Sequence, residues 1–148
     1  MYHVGIVVAD FDAGLARFSD LLGIVWGPVV STEVEVRDHE GIDRVWPLRM
    51  CYSTQAPYLE LIEEREGTPW VCNEHSNLHH IGFFTDSLVA DSGRLERSHC
   101  PLELSGRAGT AAPTGYTYHR DPLGVRIEFV DTETRAVMEA YMFSPPAT

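Results

Sequence analysis

The sequence predicts an α+β fold built from two βαβββ modules, each a strand, a helix and three further strands. Three observations support this prediction. The predicted elements follow the same order in both halves of the chain. The opening strands "HVGIVV" and "HIGFFT" match position by position, and so do the closing strands "YLELIE" and "VRIEFVD". An internal repeat of this kind indicates that one supersecondary unit is used twice.

The first module, residues 1–64, begins with the β-branched apolar run "HVGIVV", which is typical of a strand. The next segment, "DFDAGLARFSDLLG", has aspartates at its start and Gly23 at its end, as expected for a helix. Its apolar residues recur at helical spacing: Phe11, Leu15, Phe18 and Leu22. Three strands are then predicted over "VVSTEVEVR", "DRVWPLRMCYS" and "YLELIE", and the loop "REGTPWVCNEHSN" separates the two halves.

The second module, residues 78–131, repeats this order. "HIGFFT" is a predicted strand, and "DSLVADSGRLERSH" is a predicted helix with one face made of Leu88, Ser92, Leu95 and His99. "LELSGRAG", "GYTYHRD" and "VRIEFVD" predict three more strands. Residues 132–148 add a predicted C-terminal helix, "TETRAVMEAYMF", and a tail. We expect residues 1–148 to form a single domain.

The charge of the chain limits its partners. Eleven basic and twenty-two acidic residues give a net charge of −11, which repels nucleic acid and an anionic membrane surface. No cluster of arginines for a polyanionic substrate is visible. No apolar run approaches the roughly 18 residues that cross a bilayer, and "MYHVGIVV" lacks the features of a signal peptide. A cytoplasmic location is therefore expected.

The cysteines are not expected to form a site. Cys51, Cys72 and Cys100 lie far apart and form no C-x-x-C pair, so neither a disulfide framework nor a thiolate zinc site is predicted. Buried or half-buried free thiols are the interpretation that remains.

The alternation of side chains places the polar residues of the four matching strands on one face. In "HVGIVV", Val4, Ile6 and Val8 form an apolar face, and His3 lies on the other. The other three strands show the same pattern, with an apolar face suited to packing under a helix. The opposite faces carry two histidines and two glutamates: His3, Glu60, His80 and Glu128.

Only one of the adjacent histidines in "NLHHIGFF" can join this set, because neighbouring side chains of a strand point to opposite faces. Aligning the two halves places His80 against His3, and each is followed two residues later by a glycine, Gly82 or Gly5. His79 aligns with Tyr2 and shares a face with apolar residues. The prediction therefore selects His80.

Two imidazoles and two carboxylates at matching positions of a repeat form a set that a divalent metal would bind. Taken singly, a histidine or glutamate on a strand is more often solvated or hydrogen bonded than a metal ligand. The repetition favours a metal site with ligands His3, Glu60, His80 and Glu128. Mixed nitrogen and oxygen ligands suit Ni²⁺, Co²⁺, Mn²⁺, Fe²⁺ or Zn²⁺, and the residues do not choose among these ions.

At these positions the sequence resembles the vicinal oxygen chelate superfamily, which includes glyoxalase I, methylmalonyl-CoA epimerase, fosfomycin-resistance proteins and extradiol dioxygenases. The motifs that carry the resemblance are "YHVGIVVADFDAGLARFSDLLGI", "YLELIEE", "LHHIGFFTDSL" and "RDPLGVRIEFVD", and they cover residues 1 to about 131. The resemblance implies a glyoxalase-like fold, in which both modules form a cupped mixed sheet. It also implies that His3, Glu60, His80 and Glu128 occupy the four ligand positions.

The resemblance further implies a metal-dependent enzyme that binds a small carbonyl-containing substrate and moves a proton through an enolate. It would be an isomerase, an epimerase or a glyoxalase-type lyase, with Glu128 and Glu60 as the proton-transferring groups. The alternative is a metal-free small-molecule binding or antibiotic-sequestering protein of the same fold. Glu40 is a third candidate for a catalytic glutamate, although a solvated loop position explains this residue as well.

Several aromatic residues lie in segments expected to form the wall and rim of the cup. They favour a substrate with an apolar or aromatic body, as does the lack of basic residues suited to the glutathione carboxylates. These residues are Trp26, Trp46, Tyr52, Trp70, Tyr116 and Tyr118. Exposed sheet edges and the apolar segment "RAVMEAYMF" lead us to expect a homodimer.

Overall fold

The computed structural model of the protein describes residues 1–106 and 111–144. The first half of the chain contains β1 (His3–Val8), α1 (Phe11–Leu22), β2 (Val30–Asp38), β3 (Asp43–Tyr52) and β4 (Tyr58–Glu63). The second half contains β5 (Leu78–Thr85), α2 (Leu88–Arg97), β6 (Leu102–Gly106), β7 (Tyr116–Arg120) and β8 (Arg126–Asp131). The repeated βαβββ order and the α+β class are therefore confirmed.

The C-terminal segment is helical but not one regular α-helix. It consists of a 3-10 turn (Thr132–Thr134), an α-helical turn (Arg135–Val137) and a π-helical turn (Met138–Met142). The backbone N–H of Phe143 donates to the carbonyl of Met138 at 2.9 Å, which is the five-residue spacing of a π-helix. This wider turn leaves both Met138 and Phe143 buried. Among the described residues, none of the helices has the length and apolarity needed to span a membrane.

The chain divides into two compact units, which we name after the histidines that they contain. The His3 unit consists of Tyr2–Thr32, Pro47–His79 and the residues from Ala136 onward. The His80 unit consists of Met1, Glu33–Trp46 and His80–Arg135. These boundaries differ from the predicted modules because the end of β2 pairs with β6, where Val36 lies opposite Gly106 and Asp38 opposite Leu104.

In the His3 unit, α1 covers the apolar face of a mixed set of strands. β1 pairs in parallel with β4, and β4 pairs antiparallel with β3. The carboxylate of Asp10 accepts the N–H of Ala13 at 2.9 Å and caps the start of α1, and Gly23 ends it with a φ of 68°. The core of this unit contains Phe11, Cys51 and Leu61, with Ile6, Val8, Leu15, Phe18 and Trp26 packed against them.

The His80 unit has the same plan. β5 pairs in parallel with β8, and β8, β7 and β6 pair antiparallel in that order. Ser87 caps α2, which buries three of the four residues of its predicted face, and His99 lies exposed beyond its end with a φ of 64°. The core contains Leu88, Leu95, Cys100 and Phe129, with Phe83 and Ile127 packed against them.

The three cysteines are free thiols: Cys51 and Cys100 are buried, and Cys72 is half-buried. Burial raises the pKa of Cys51 to about 11, so this thiol stays protonated at neutral pH.

His119 on β7 is a fully buried histidine in the His80 unit. Its Nδ1 lies 3.1 Å from the carbonyl oxygen of Cys100. Burial lowers the pKa of His119 below its ordinary value, and this effect outweighs the opposite influence of the Cys100 carbonyl and the charges of Glu96 and Glu103. The folded protein therefore holds this imidazole in its neutral form.

We expect this histidine to make stability depend on pH. Because its pKa is lower in the folded than in the unfolded chain, its contribution is complete above about pH 6.5 and decreases as the pH falls below that value. In urea unfolding of metal-free protein at pH 7.5 and pH 5.5, the wild type should lose more unfolding free energy than His119→Asn. Asparagine can still donate to the Cys100 carbonyl but does not titrate. An equal loss in both proteins would contradict the prediction.

Candidate functional site

His3 and Glu60 form a buried pair in the His3 unit. The parallel register of β1 and β4 places Gly5 beside Glu60, and His3 lies two residues before this glycine on the same face. The distance between His3 Nε2 and Glu60 Oε2 is 3.3 Å, and the side chains are 0% and 6% exposed.

His80 and Glu128 form the equivalent pair in the His80 unit. Here β5 and β8 pair in parallel with Gly82 beside Glu128. The distance between His80 Nε2 and Glu128 Oε2 is 3.4 Å, with side-chain exposures of 0% and 7%. The sequence repeat has thus produced the same local geometry twice, and the same atoms face each other in both pairs.

The glycines explain how each glutamate reaches its histidine. In a parallel pair, the residue beside Glu60 or Glu128 would present its side chain on the same face, next to the carboxylate. Gly5 and Gly82 have no side chain there. The carboxylate can therefore lean along the neighbouring strand toward the histidine two residues earlier.

The donor atoms of each pair fit a divalent ion. Ligand atoms that lie about 2.0–2.2 Å from one ion, at adjacent corners of its coordination shell, are roughly 3 Å apart. The separations of 3.3 and 3.4 Å are close to this value and longer than a typical charge-assisted hydrogen bond of about 2.8 Å. An imidazole and a carboxylate are also ligand types that zinc and its neighbours accept.

A tyrosine accompanies each pair at an equivalent position. Tyr52 lies opposite Glu60 in the antiparallel register of β3 and β4, and its ring centroid is 5.5 Å from that of His3. Tyr118 lies opposite Glu128 in the register of β7 and β8, 5.1 Å from the His80 ring. Both residues were predicted to line a wall, but their equivalence depends on the strand register and is visible only in the structure.

Further aromatic side chains enclose the His3 pair. Tyr2 lies 4.3 Å from the His3 ring, measured between centroids. Phe143, from the C-terminal segment, stacks on Tyr58 with a centroid distance of 3.9 Å and an interplanar angle of 15°, and lies 5.2 Å from Tyr52. The segment reaches this position by running past Gly27, where a Cβ atom would stand 2.1 Å from the Met142 carbonyl oxygen.

The three predicted tryptophans have surroundings of different kinds. Trp26 packs in the core of the His3 unit and donates its indole N–H to the carbonyl of Leu15 at 3.0 Å. Trp70 is buried in the loop between the halves, and the Trp46 ring lies 6.0 Å from the Arg44 guanidinium carbon. Tyr116 stands beside Tyr118, with ring centroids 5.6 Å apart.

His79 and Glu40 lie elsewhere. His79 is buried, and its Nε2 is 2.9 Å from the carbonyl oxygen of Pro69, so the ring anchors the loop that precedes β5. Glu40 is exposed in the turn between β2 and β3, where its carboxylate lies 3.7 Å from the Arg44 guanidinium.

The structure also brings together charged residues that no pattern in the sequence identified. We expected no arginine cluster, but Arg120 and Arg126 lie directly opposite each other on β7 and β8, and both pair with Glu103. Arg126 lies two residues before Glu128. The two arginines are separated by a turn in the sequence, and only the strand register brings them together.

Solved structures with a similar fold include several methylmalonyl-CoA epimerases. One, in complex with methylmalonyl-CoA and NH4+, has a TM-score of 0.61 and 22% identity, over 87% of this chain and 91% of that one. A Streptomyces coelicolor variant in complex with 2-nitronate-propionyl-CoA gives the same four values. The Mycobacterium tuberculosis epimerase has a TM-score of 0.56 and 23% identity, covering 90% and 89% of the chains.

At these identities the likeness shows the fold alone. No curated protein sequence matches this chain. Residues 2–118, which are most of the sequence, match the family described as Glyoxalase/Bleomycin resistance protein/Dioxygenase superfamily. The chain therefore belongs to this superfamily, also called the vicinal oxygen chelate superfamily, and has its glyoxalase-like fold.

Proposed function

We propose that this protein is a metal-dependent enzyme that binds one divalent ion through His3, Glu60, His80 and Glu128. The observation that carries the proposal is the repetition of a buried imidazole–carboxylate pair, with separations of 3.3 and 3.4 Å, in the two units. A buried carboxylate is costly unless a cation or a hydrogen-bond donor compensates it. A divalent ion shared by both pairs would compensate two such carboxylates.

The proposed reaction is proton transfer next to a carbonyl group. When bound, the ion supplies Lewis acidity that polarises a carbonyl and stabilises an enolate. Glu128 removes or returns the α-proton, and Glu60 serves the same role from the other pair. Both glutamates are largely buried, with side-chain exposures of 6% and 7%. This chemistry covers an isomerase, an epimerase and a glyoxalase-type lyase.

We propose a small carbonyl compound with an apolar or aromatic body as the substrate. The support is the aromatic surrounding of the pairs, which includes Tyr2, Tyr52 and Phe143 in the His3 unit and Tyr118 in the His80 unit. The superfamily also includes proteins that sequester small molecules, so a metal-free binding protein is the alternative. Metal content separates the two functions, because the proposed enzyme holds an ion between the two buried pairs and a metal-free binding protein does not.

Substitution of the two adjacent histidines tests the metal site. Purified wild-type protein should contain about one divalent ion per chain, and His80→Ala should lose it, because the substitution removes an imidazole ligand. His79→Ala is the matched control: it removes a ring held by Pro69 and should leave the metal content nearly unchanged. Elemental analysis after desalting measures the metal content of the wild type and of both variants. Equal loss in the two variants, or a wild type without metal, would contradict the proposal.

Shortening Glu128 tests proton transfer. Glu128→Asp keeps a carboxylate but withdraws it by roughly 1 Å, a displacement that can reduce turnover about a hundredfold while some metal binding remains. Glu128→Gln should weaken metal binding and remove the base. The readout is NMR detection of deuterium incorporation from D2O into a panel of carbonyl compounds with an acidic α-hydrogen. Glu60→Asp is the equivalent variant in the other pair. If Glu128→Gln incorporates deuterium at the wild-type rate, Glu128 is excluded as the group that transfers the proton.

We also propose a homodimer in the cytoplasm. The C-terminal segment leaves Val137 66% and Tyr141 57% exposed, and apolar side chains of this kind are suited to a second copy. Light scattering at micromolar concentration should give twice the chain mass, and Val137→Glu should give the mass of one chain. Val89→Glu, a change of another exposed valine in α2, should remain dimeric. A monomeric wild type would contradict the dimer.

A further inference from the structure

A pair of arginines shares the face of the His80 unit that carries Glu128. In the antiparallel register of β7 and β8, Arg120 lies opposite Arg126 and Tyr118 lies opposite Glu128. Residues that lie opposite one another, and residues two apart on one strand, present their side chains on the same face. Both guanidinium groups therefore lie on the face of the proposed reaction, not on the face covered by α2.

The charges of this cluster do not balance. The carboxylate of Glu103 accepts the Nε–H of Arg120 at 3.0 Å and the Nε–H of Arg126 at 2.7 Å. Burial raises the pKa of Glu103, but the hydrogen bonds and charges of the two arginines lower it further, so this carboxylate is ionised. One carboxylate between two guanidinium groups leaves one positive charge. Like charges directly opposite each other on two strands repel, and a second anion would relieve this.

Arg126 has the donors to bind that anion. Its side chain is only 11% exposed, and its guanidinium carbon lies 5.8 Å from the centre of the Tyr118 ring, which also contacts His80. Of its five N–H donors, the one on Nε is used by Glu103. Within residues 1–106 and 111–144, the terminal amino groups make no hydrogen bond to the protein. Half-buried donors of this kind require water or a ligand, and a planar guanidinium suits two oxygens of a carboxylate or phosphate.

We infer that Arg126, supported by Arg120, binds an anionic group of the substrate. The substrate is then a small carbonyl compound that carries, in addition to the apolar or aromatic body proposed above, a carboxylate or phosphate a few atoms from the reacting carbon. Arg126 and Glu128 are two residues apart on one strand, so their Cα atoms are separated by about 7 Å, which a chain of a few carbons spans. The inference rests on the proposed function for the carbonyl end of the substrate, while the anion-binding end is independent of metal.

Metal-free protein tests the anion site by itself. Inorganic phosphate, and in parallel acetate, is titrated into ¹⁵N-labelled protein that has been passed over a chelating resin, and the backbone amides of Tyr118 and Glu128 are followed by NMR. Wild-type protein should show a saturable shift with at least one of the two anions, and the comparison tells phosphate from carboxylate. Arg126→Gln should weaken binding at least about tenfold, and Arg126→Lys, which keeps the charge but loses the planar fork, should weaken it less.

Two further variants separate anion binding from a purely structural role. Glu103→Gln removes the competing carboxylate and should strengthen phosphate or acetate binding, which no loss of folding would do. Arg94→Gln changes an exposed arginine that pairs with Asp91 on α2, and should bind as the wild type does. If Arg126→Gln binds as tightly as Arg94→Gln, or if Glu103→Gln binds more weakly than the wild type, the inference is overturned.

A matched pair of 2-oxo acids then connects the two ends of the substrate. With metal-loaded protein, 2-oxoglutarate should bind at least about tenfold more tightly than 2-oxopentanoate, which lacks the distal carboxylate, and Arg126→Gln should remove this preference. A wild-type protein that binds metal but does not prefer 2-oxoglutarate over 2-oxopentanoate would overturn the inference and leave the proposed function intact. A wild-type protein that binds phosphate or acetate but retains no metal would contradict the proposed function and leave the inference intact.

Discussion

The parallel pairing of a histidine strand with a glutamate strand is the constraint on which the site depends. β1 pairs with β4 and β5 pairs with β8, and in each register a glycine stands beside the glutamate. A register shifted by one residue would turn every side chain of the strand to the other face, so neither glutamate would meet its histidine. The apolar faces packed under α1 and α2 fix this register, and core packing thereby sets the geometry of the site.

Much of the fold was predictable because each element carries a strong local pattern. The parity of "HVGIVV" and "HIGFFT" assigned His3 and His80 to one face, and the structure pairs each with the predicted glutamate. It also gives His79 a different partner, the Pro69 carbonyl. Helix boundaries followed from the Asp10 cap and from Gly23, because short-range hydrogen bonds and φ preferences decide them.

What the sequence did not reveal depends on contacts between distant segments. The boundaries of the compact units differ from those of the sequence repeat because the end of β2 pairs with β6. No local sequence pattern predicts that pairing. Arg120, Arg126 and Glu103 come from three strands, so their cluster exists only once the registers are known. The π-helical turn at Met138–Met142 was likewise not predicted from the sequence, because the apolar spacing of that segment also fits an α-helix.

The two histidine–glutamate pairs are nearly identical in geometry, yet their neighbours differ. Rings from Tyr2 and Tyr52 contact His3, with Phe143 beside Tyr52, whereas Tyr118 contacts His80 and the arginine pair lies beside Glu128. Within each unit the pair is thus the same, but its surroundings are not: aromatic rings lie around the His3–Glu60 pair, and guanidinium groups lie beside Glu128. Two glutamates at equivalent positions of the repeat therefore stand in different electrostatic environments, and the repetition of the sequence does not make them chemically equivalent.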